Sequence, residues 1–522
     1  MKILSKVGIV SAMTAISRVF GLVREVVMAN FFGTGKLQSA FVIAFRIPNL
    51  FRRLFGEGAL GAAFVPVFHE IEAKEGRERA QLFLGRIFGI LICVLGAIVA
   101  IGILISYGVQ YWWCAPDSRW VVAMPLMRIM LPYALLICLA AIISAVLNIH
   151  DRFAISSLTP VILNIVWLIA LVGICPFLPA EGMWRIGAVS LGILLAGIAQ
   201  ILFQLPELKR VGYFFRVKWS GWQTSPYVKQ VLFQMGPASL GIALAQINIC
   251  MDGWLAFYGA EWAPAVLEYA DRIIYLPLGL FGTAFATVLL PIYAKQYAAG
   301  NLNEVLATFE SALKNIFIIM APMALGLCVL AAPTVSLIYE RGAFNQASVL
   351  WTARAVAAYA PGLLAFSAAK TVIPIFYAQK DVKTPVKVAS WCILGNFTLN
   401  LLSVIFLPEG WRHVGIALST VLNSMVNTWI LLYILRRRGI KPNLFGLCAT
   451  LFKTLFAAGV MAIAVVYLFA WLNAWMPMGL AYLGVVCVAP FVYFPLILLI
   501  AHQEFLAFLQ EFPLLKRFKR RH

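Results

Sequence analysis

The sequence predicts an all-α integral membrane protein of about 14 transmembrane helices, with two parallel six-helix lobes around a central cavity and two further C-terminal helices. Three observations predict it. Of 522 residues, 62% are hydrophobic and only 12% charged, about half the charged share that keeps a soluble domain wet. Apolar runs of about 20 residues, enough to cross a bilayer, recur from one end to the other. Short patterns in the first half also return in the second at a fixed interval.

Apolar windows place helices near residues 5–32, 37–68, 83–110, 122–148, 158–177, 185–205, 228–258, 264–294, 312–338, 350–378, 385–407, 413–435, 450–472 and 480–502. Several exceed the bilayer thickness, so tilted or interrupted helices are expected. Pro48, Pro277, Pro361 and Pro374 lie inside such runs, where proline breaks or kinks a helix. The first apolar stretch holds Arg18 and Arg24 and continues without a cleavage pattern, which makes it a span and not a signal peptide.

The net charge of +20 does not indicate nucleic acid, because it is distributed by loop. Basic residues crowd alternate gaps: Lys74, Arg77, Arg79; Lys209, Arg210, Arg216, Lys218; Lys380, Lys383, Lys387; Arg436 to Arg438; and the tail from Lys516. The gaps between hold few. Cytoplasmic loops retain Lys and Arg, so both termini are expected in the cytoplasm and the spans are even in number.

The repeat rests on paired motifs. Pro66 and Pro291, each closing a run rich in small residues, lie 225 positions apart, as do Pro160 and Pro385 in Thr-Pro-Val. Arg46 is echoed near that interval by Arg272. An even number of spans per copy makes the repeat parallel, with a binding site expected between the halves near the midplane. The expected domains are 1–215, 216–440 with the basic segment 206–227 as linker, and 441–522.

Charges inside apolar runs cost several kcal/mol in a bilayer and usually face a bundle interior or a wet cavity. They are Arg18, Arg24 and Glu25; Arg46, Arg52, Arg53 and Glu57; Asp252; and Asp271 with Arg272. Arg18 and Arg24 point about 120° apart on one helix and line different parts of a broad cavity. Several arginines on one cavity suit an anionic substrate such as a diphosphate, which guanidinium binds with paired, charge-assisted hydrogen bonds. Arg53 and Glu57, at i, i+4, suit a snorkelling or mutually paired role equally well. Asp252 has no cation nearby in sequence, and Asn396 and Asn400 share a helix face. Such oxygens suit a hard monovalent cation or a carried proton; inter-helix hydrogen bonding is the competing reading.

The nine cysteines form no CxxC pair and read as small buried hydrophobes. No P-loop, HExxH or soluble nucleotide domain is present, so no enzyme and no cofactor is expected. Active transport must draw on a sodium or proton gradient or on the membrane potential.

Residues 17–25 (SRVFGLVRE), 45–59 (FRIPNLFRRLFGEGA), 64–66 (FVP), 234–238 (QMGPA), 269–272 (YADR) and 381–387 (DVKTPVK) resemble, in order, the MurJ/MviN lipid II flippases of the MOP exporter superfamily. The resemblance spans residues 1 to about 440, with the two extra helices in place. It implies a bacterial inner-membrane protein that carries lipid II from the cytoplasmic to the periplasmic leaflet by alternating access, with the lipid tail along a groove formed by the last two helices. Membrane lipids surround it, and a monomer is expected. By resemblance, Arg18, Arg24, Arg52 and Arg272 meet the headgroup, joined by Arg46 from the repeat, and Glu25 and Glu57 pair with arginines during gating. A sodium site of some relatives maps to Asp252, Asn396, Asn400, Thr420 and the carbonyl of Ile416. Departures fall at Ser39 (Asp in relatives), Ala265 (Ser), Glu25 (Asp) and Asn400 (Asp in sodium binders), the last removing one charge from the ion set. The alternatives are a flippase for another lipid-linked oligosaccharide and a non-transporting membrane scaffold.

Overall fold

A computed structural model describes residues 3–56, 59–115, 118–221, 223 and 225–511. Every regular element among them is helical. Lipid offers a backbone no hydrogen-bonding partner, and a helix satisfies its amides and carbonyls within one segment. The chain forms two compact units, Met1–Ala265 with Arg341–Phe344, and Val266–Glu340 with Asn345–His522.

Unit one begins with α1 (Ile3–Phe32) and α2 (Lys36–Phe51), then a π turn (Arg52–Gly56) leading into α3 (Ala59–Glu75). Next come α4 (Arg77–Gly108), α5 (Trp120–Met130), α6 (Tyr133–Ile149), α7 (Phe153–Leu168), α8 (Trp184–Arg210) and α9 (Pro226–Gly259). Its core is aromatic where α2 meets α7: the Trp167 ring stands edge-on to Phe41 and Phe45, with centroids 5.3 and 5.4 Å away. Such rings fill volume with few rotamers and hold a helix face rigid. The sequence assigns α9 to the second lobe, but it packs on α2, α3 and α4. By contacts alone, α9 is grouped with the helices before it, and the compact units meet in sequence after Ala265.

Unit two continues α10 (Ala263–Pro277), which begins in unit one, through a π turn (Leu278–Gly282) into α11 (Thr283–Ala298). Then follow α12 (Leu302–Val329), α13 (Ala331–Tyr339), α14 (Gln346–Tyr359), α15 (Gly362–Ala378), α16 (Lys383–Phe406) and α17 (Glu409–Arg437). The two helices beyond the repeat, α18 (Leu444–Asn473) and α19 (Met478–Ile500), are followed by α20 (His502–Glu511). Buried Ala457, Ala458 and Met461 of α18 let it lie close against α12. The Tyr493 hydroxyl of α19 donates to the carbonyl of Ile318 (2.9 Å).

Among the described residues, ten helical stretches are long and apolar enough to cross a membrane alone, and the pair α14/α15, bent by 42°, makes eleven. The expected count of about 14 adds α1, α9 and the interrupted α2/α3. Neither α2 nor α3 alone reaches span length, having 16 and 17 residues. The prolines act unequally. Pro361 starts α15 at the bend, and Pro48 and Pro277 precede the π turns. Pro374 lies within an unbroken α15.

Candidate functional site

Arg24 is the arginine most withdrawn from solvent, its residue 7% exposed. Its guanidinium reaches Glu25 (2.5 Å), donates to Asn164 Oδ1 on α7 (2.8 Å) and lies over the Trp167 ring, 4.1 Å from the centroid. Asn164 is itself fixed, its Nδ2 donating to the carbonyl of Ser17 (3.2 Å), and the Trp167 indole donates to Met28 Sδ (3.4 Å). A buried cation needs this much compensation: a carboxylate, an amide oxygen and a π face together replace water. Arg24 Nε is buried with no partner among the described residues, so one donor of the fork is uncommitted.

Arg46 is held by different chemistry. It donates to the carbonyl of Ile249 on α9 and occupies the space beside Gly253, where any Cβ would collide with its guanidinium. Glycine at 253 is thus what lets the arginine lie flat against α9. Arg52, in the π turn, donates from Nε to Asn49 Oδ1 (2.9 Å). Arg53 is half-buried in the same turn, Arg18 is exposed on α1, and Glu57 lies outside the described residues.

Arg272 belongs to unit two and is exposed. It pairs with Glu268, one helical turn back (2.8 Å). Adjacent helix positions diverge by about 100°, whereas i and i+4 meet. Glu268 was therefore legible from spacing; Asn164, 140 residues from Arg24, was not.

Of the oxygens mapped to an ion site, Asp252 lies in unit one, where the side-chain amide of Asn248 donates to it (3.4 Å). The others lie in unit two, on the packed helices α16 and α17. Asn396 and Asn400 are fully buried, and the Thr420 hydroxyl donates to the carbonyl of Ile416 (3.1 Å). These four are neutral oxygens, of the hard-donor type an alkali cation prefers. Among the described residues no group of three His, Cys, Asp or Glu side chains could hold a metal. Ser39 and Ala265 are neighbours: the Ala265 amide donates to Ser39 Oγ (3.4 Å), both residues fully buried.

The fold is that of a polytopic membrane transporter. It superimposes on a multidrug resistance MATE family transporter of the MOP superfamily in an inward-facing conformation, with TM-score 0.68 at 16% identity over 81% of this chain and 95% of that one. It also matches a lipid II flippase MurJ in an inward closed conformation, with TM-score 0.77 at 24% identity over 94% and 98% of the two chains. The family model for lipid II flippase MurJ matches residues 28–486. A protein of Vibrio cholerae serotype O1 named "Probable lipid II flippase MurJ" is 35% identical over 83% of this chain and 82% of its own. The lipid II flippase MurJ of Burkholderia cenocepacia is 32% identical over 83% of each. The chain belongs to the lipid II flippase MurJ family.

Proposed function

We propose that this chain is a lipid II flippase, moving the diphosphate-linked peptidoglycan precursor from the cytoplasmic to the periplasmic leaflet of the bacterial inner membrane. The observation that carries the reading is the family match across residues 28–486, which takes in Arg46, Arg52 and Arg272. Arg18, Arg24, Arg46, Arg52 and Arg272 hold the headgroup, for which a guanidinium fork is matched to phosphate oxygens. The uncommitted Nε of Arg24 supports that role. Glu25 and Glu57 exchange arginine partners as the protein opens and closes. The lobes 1–215 and 216–440 carry the alternating access, and 441–522 guides the lipid tail.

The protein acts as a secondary transporter and a monomer, with both termini cytoplasmic, driven by sodium, protons or the membrane potential. For sodium, the ligands are Asp252, Asn396, Asn400, Thr420 and the Ile416 carbonyl. Lipid II exposure measured with and without a sodium gradient, in wild type and Asp252→Asn, separates these drivers. The function itself is tested by complementation. A cell depleted of its own lipid II flippase should resume wall synthesis when given this gene. Lysis with the protein present in the membrane would overturn the reading.

A further inference from the structure

Unit one carries a second arginine-lined feature, away from Arg24. A cavity of about 290 Å³ lies between the end of α3, the first turns of α4 and the start of α9, lined by Glu75, Arg79, Phe83, Arg86, Ser225 and Tyr227 among others. Arg79 and Arg86 are seven positions apart and so share one face of α4, about 10 Å apart along its axis. That is within reach of two long side chains bending toward one point. Among the described residues neither forms an ion pair, although this end of the unit holds several. The carboxylate in the wall is held by a second wall residue, since Glu75 Oε1 accepts from the Tyr227 hydroxyl (2.5 Å).

The linker after α8 lies along the same stretch of α4 and ends at Ser225 in the cavity wall. The Lys218 amide donates to the carbonyl of Gly85 (2.9 Å), and a Cβ at Gly85 would come within 2.7 Å of the carbonyl oxygen of Arg216. Gly85 and Gly89 thus open a groove along α4 in which the linker backbone lies. At Gly221, with φ +77°, the linker turns against the Arg86 guanidinium, which stands 3.0 Å from the position a Cβ would take. Gln81 fixes the same strap by exchanging two hydrogen bonds with the Phe214 backbone (2.8 and 2.9 Å). Phe214 and Trp219 on this strap are exposed.

We infer that this cavity is a binding site for a phosphate ester, gripped by the Arg79 and Arg86 guanidinium groups and held under the linker strap. Two unpaired guanidiniums facing one small polar cavity match the planar, charge-assisted recognition of phosphate oxygens. The exposed aromatic residues on the strap favour a ligand with an apolar part, such as an anionic phospholipid headgroup; a free phosphate shares the same chemistry. The site is independent of the transport reading.

The test is a calorimetric titration of full-length protein in neutral detergent with two probes, inorganic phosphate and soluble short-chain phosphatidylglycerol, with short-chain phosphatidylcholine as the blank. Wild type should bind phosphatidylglycerol above the blank, and Arg79→Gln/Arg86→Gln should weaken it about tenfold or more. Phosphate binding lost in the same variant assigns recognition to the phosphate alone. Binding of the lipid only, lost in the variant, assigns it to a headgroup with its chains. Should the double variant unfold early, Arg86→Lys keeps the charge but not the fork and should weaken binding with an unchanged melting profile. Wild type binding neither probe, or a folded variant binding both as before, would overturn the site.

Discussion

In unit one the chain leaves α6 through Asp151, at φ 63°, and Arg152 then reaches Glu207 in the last turn of α8 (3.2 Å). In unit two it leaves α15 through Lys380, at φ 58°, and Asp381 accepts from Arg438 just past α17 (2.6 Å). These are the only non-glycine residues with positive φ among those described. A left-handed turn costs a side-chain residue about 1–3 kcal/mol, so its recurrence marks a shape both halves need. The charges joining turn to helix end are reversed. The repeat has kept the backbone and the fact of pairing, but not the sign.

The arginines differ more deeply. Arg24 is enclosed by Glu25, Asn164 and Trp167, and Arg46 lies against a backbone carbonyl and a glycine. Arg272, the echo of Arg46 in unit two, is exposed and pairs with Glu268 on its own helix. Unit one holds Arg24 and Arg46 as parts of the packing, and unit two presents Arg272 on a surface. Variants should separate these roles.

The largest effect is expected at Arg24. Arg24→Ala removes one partner of the buried pair with Glu25, which is 5% exposed, a loss of about 3–5 kcal/mol. Thermal unfolding in detergent should show it, together with lost transport. Arg24→Leu/Glu25→Leu should recover part of the stability and none of the transport. If Arg24→Ala melts like wild type, the pair is not desolvated and the contrast between units fails. Next comes Gly253→Ala, whose methyl displaces Arg46 from Ile249, at about 1–3 kcal/mol. Gly300, at an open turn of unit two with nothing near its Cβ position, supplies the control for a glycine replaced without a clash. Its φ of +75° still penalises alanine, by about 1 kcal/mol.

Arg272→Ala should sharpen the comparison in the other direction. Its pair with Glu268 is half open to solvent, so unfolding should shift by less than about 1 kcal/mol while lipid II exposure falls steeply. A variant that transports normally would remove Arg272 from the headgroup set. One that unfolds like Arg24→Ala would make it a packing residue instead.

Much of this architecture was readable before any coordinates. Hydropathy gave the helical class, and the motif pairs at Pro66/Pro291 and Pro160/Pro385 gave the repeat. What escaped was repetition carried by conformation. The π turns at 52–56 and 278–282, the helix breaks at Pro132 and Pro361, and the turns at Asp151 and Lys380 recur 226 to 229 positions apart. Yet Asp151 and Lys380 share no chemistry, so identity between the halves could not find them. The site divided similarly. Which arginines lay in apolar runs was plain from the sequence, since insertion cost depends on local composition. Which were enclosed depended on Asn164, Trp167 and Gly253, residues unremarkable in their own segments and remote in sequence. The packing of α9 on α2, α3 and α4 was invisible for the same reason, since it depends on residues remote in sequence.

The smallest effect concerns the reversed clamp. Burial alone would raise the Asp381 carboxyl, but hydrogen bonds from Thr384 and Arg438 outweigh it and hold the group at about 2 against an ordinary 3.8. A depressed carboxylate contributes stability above its unfolded pKa and loses it as pH falls through the folded one. The pair is partly open to water, so the contribution is about 1 kcal/mol or less. Wild type should therefore melt slightly above Asp381→Asn at neutral pH. The gap should hold down to about pH 4 and close as pH falls toward about 2. In unit one the equivalent residue is Arg152, paired with Glu207, and Arg152→Gln should lower the melting temperature slightly, by about 1 kcal/mol or less. An Arg152→Gln gap that closes over the same pH range as that of Asp381→Asn would mean that the reversed signs make no difference to how the two turns respond to acid.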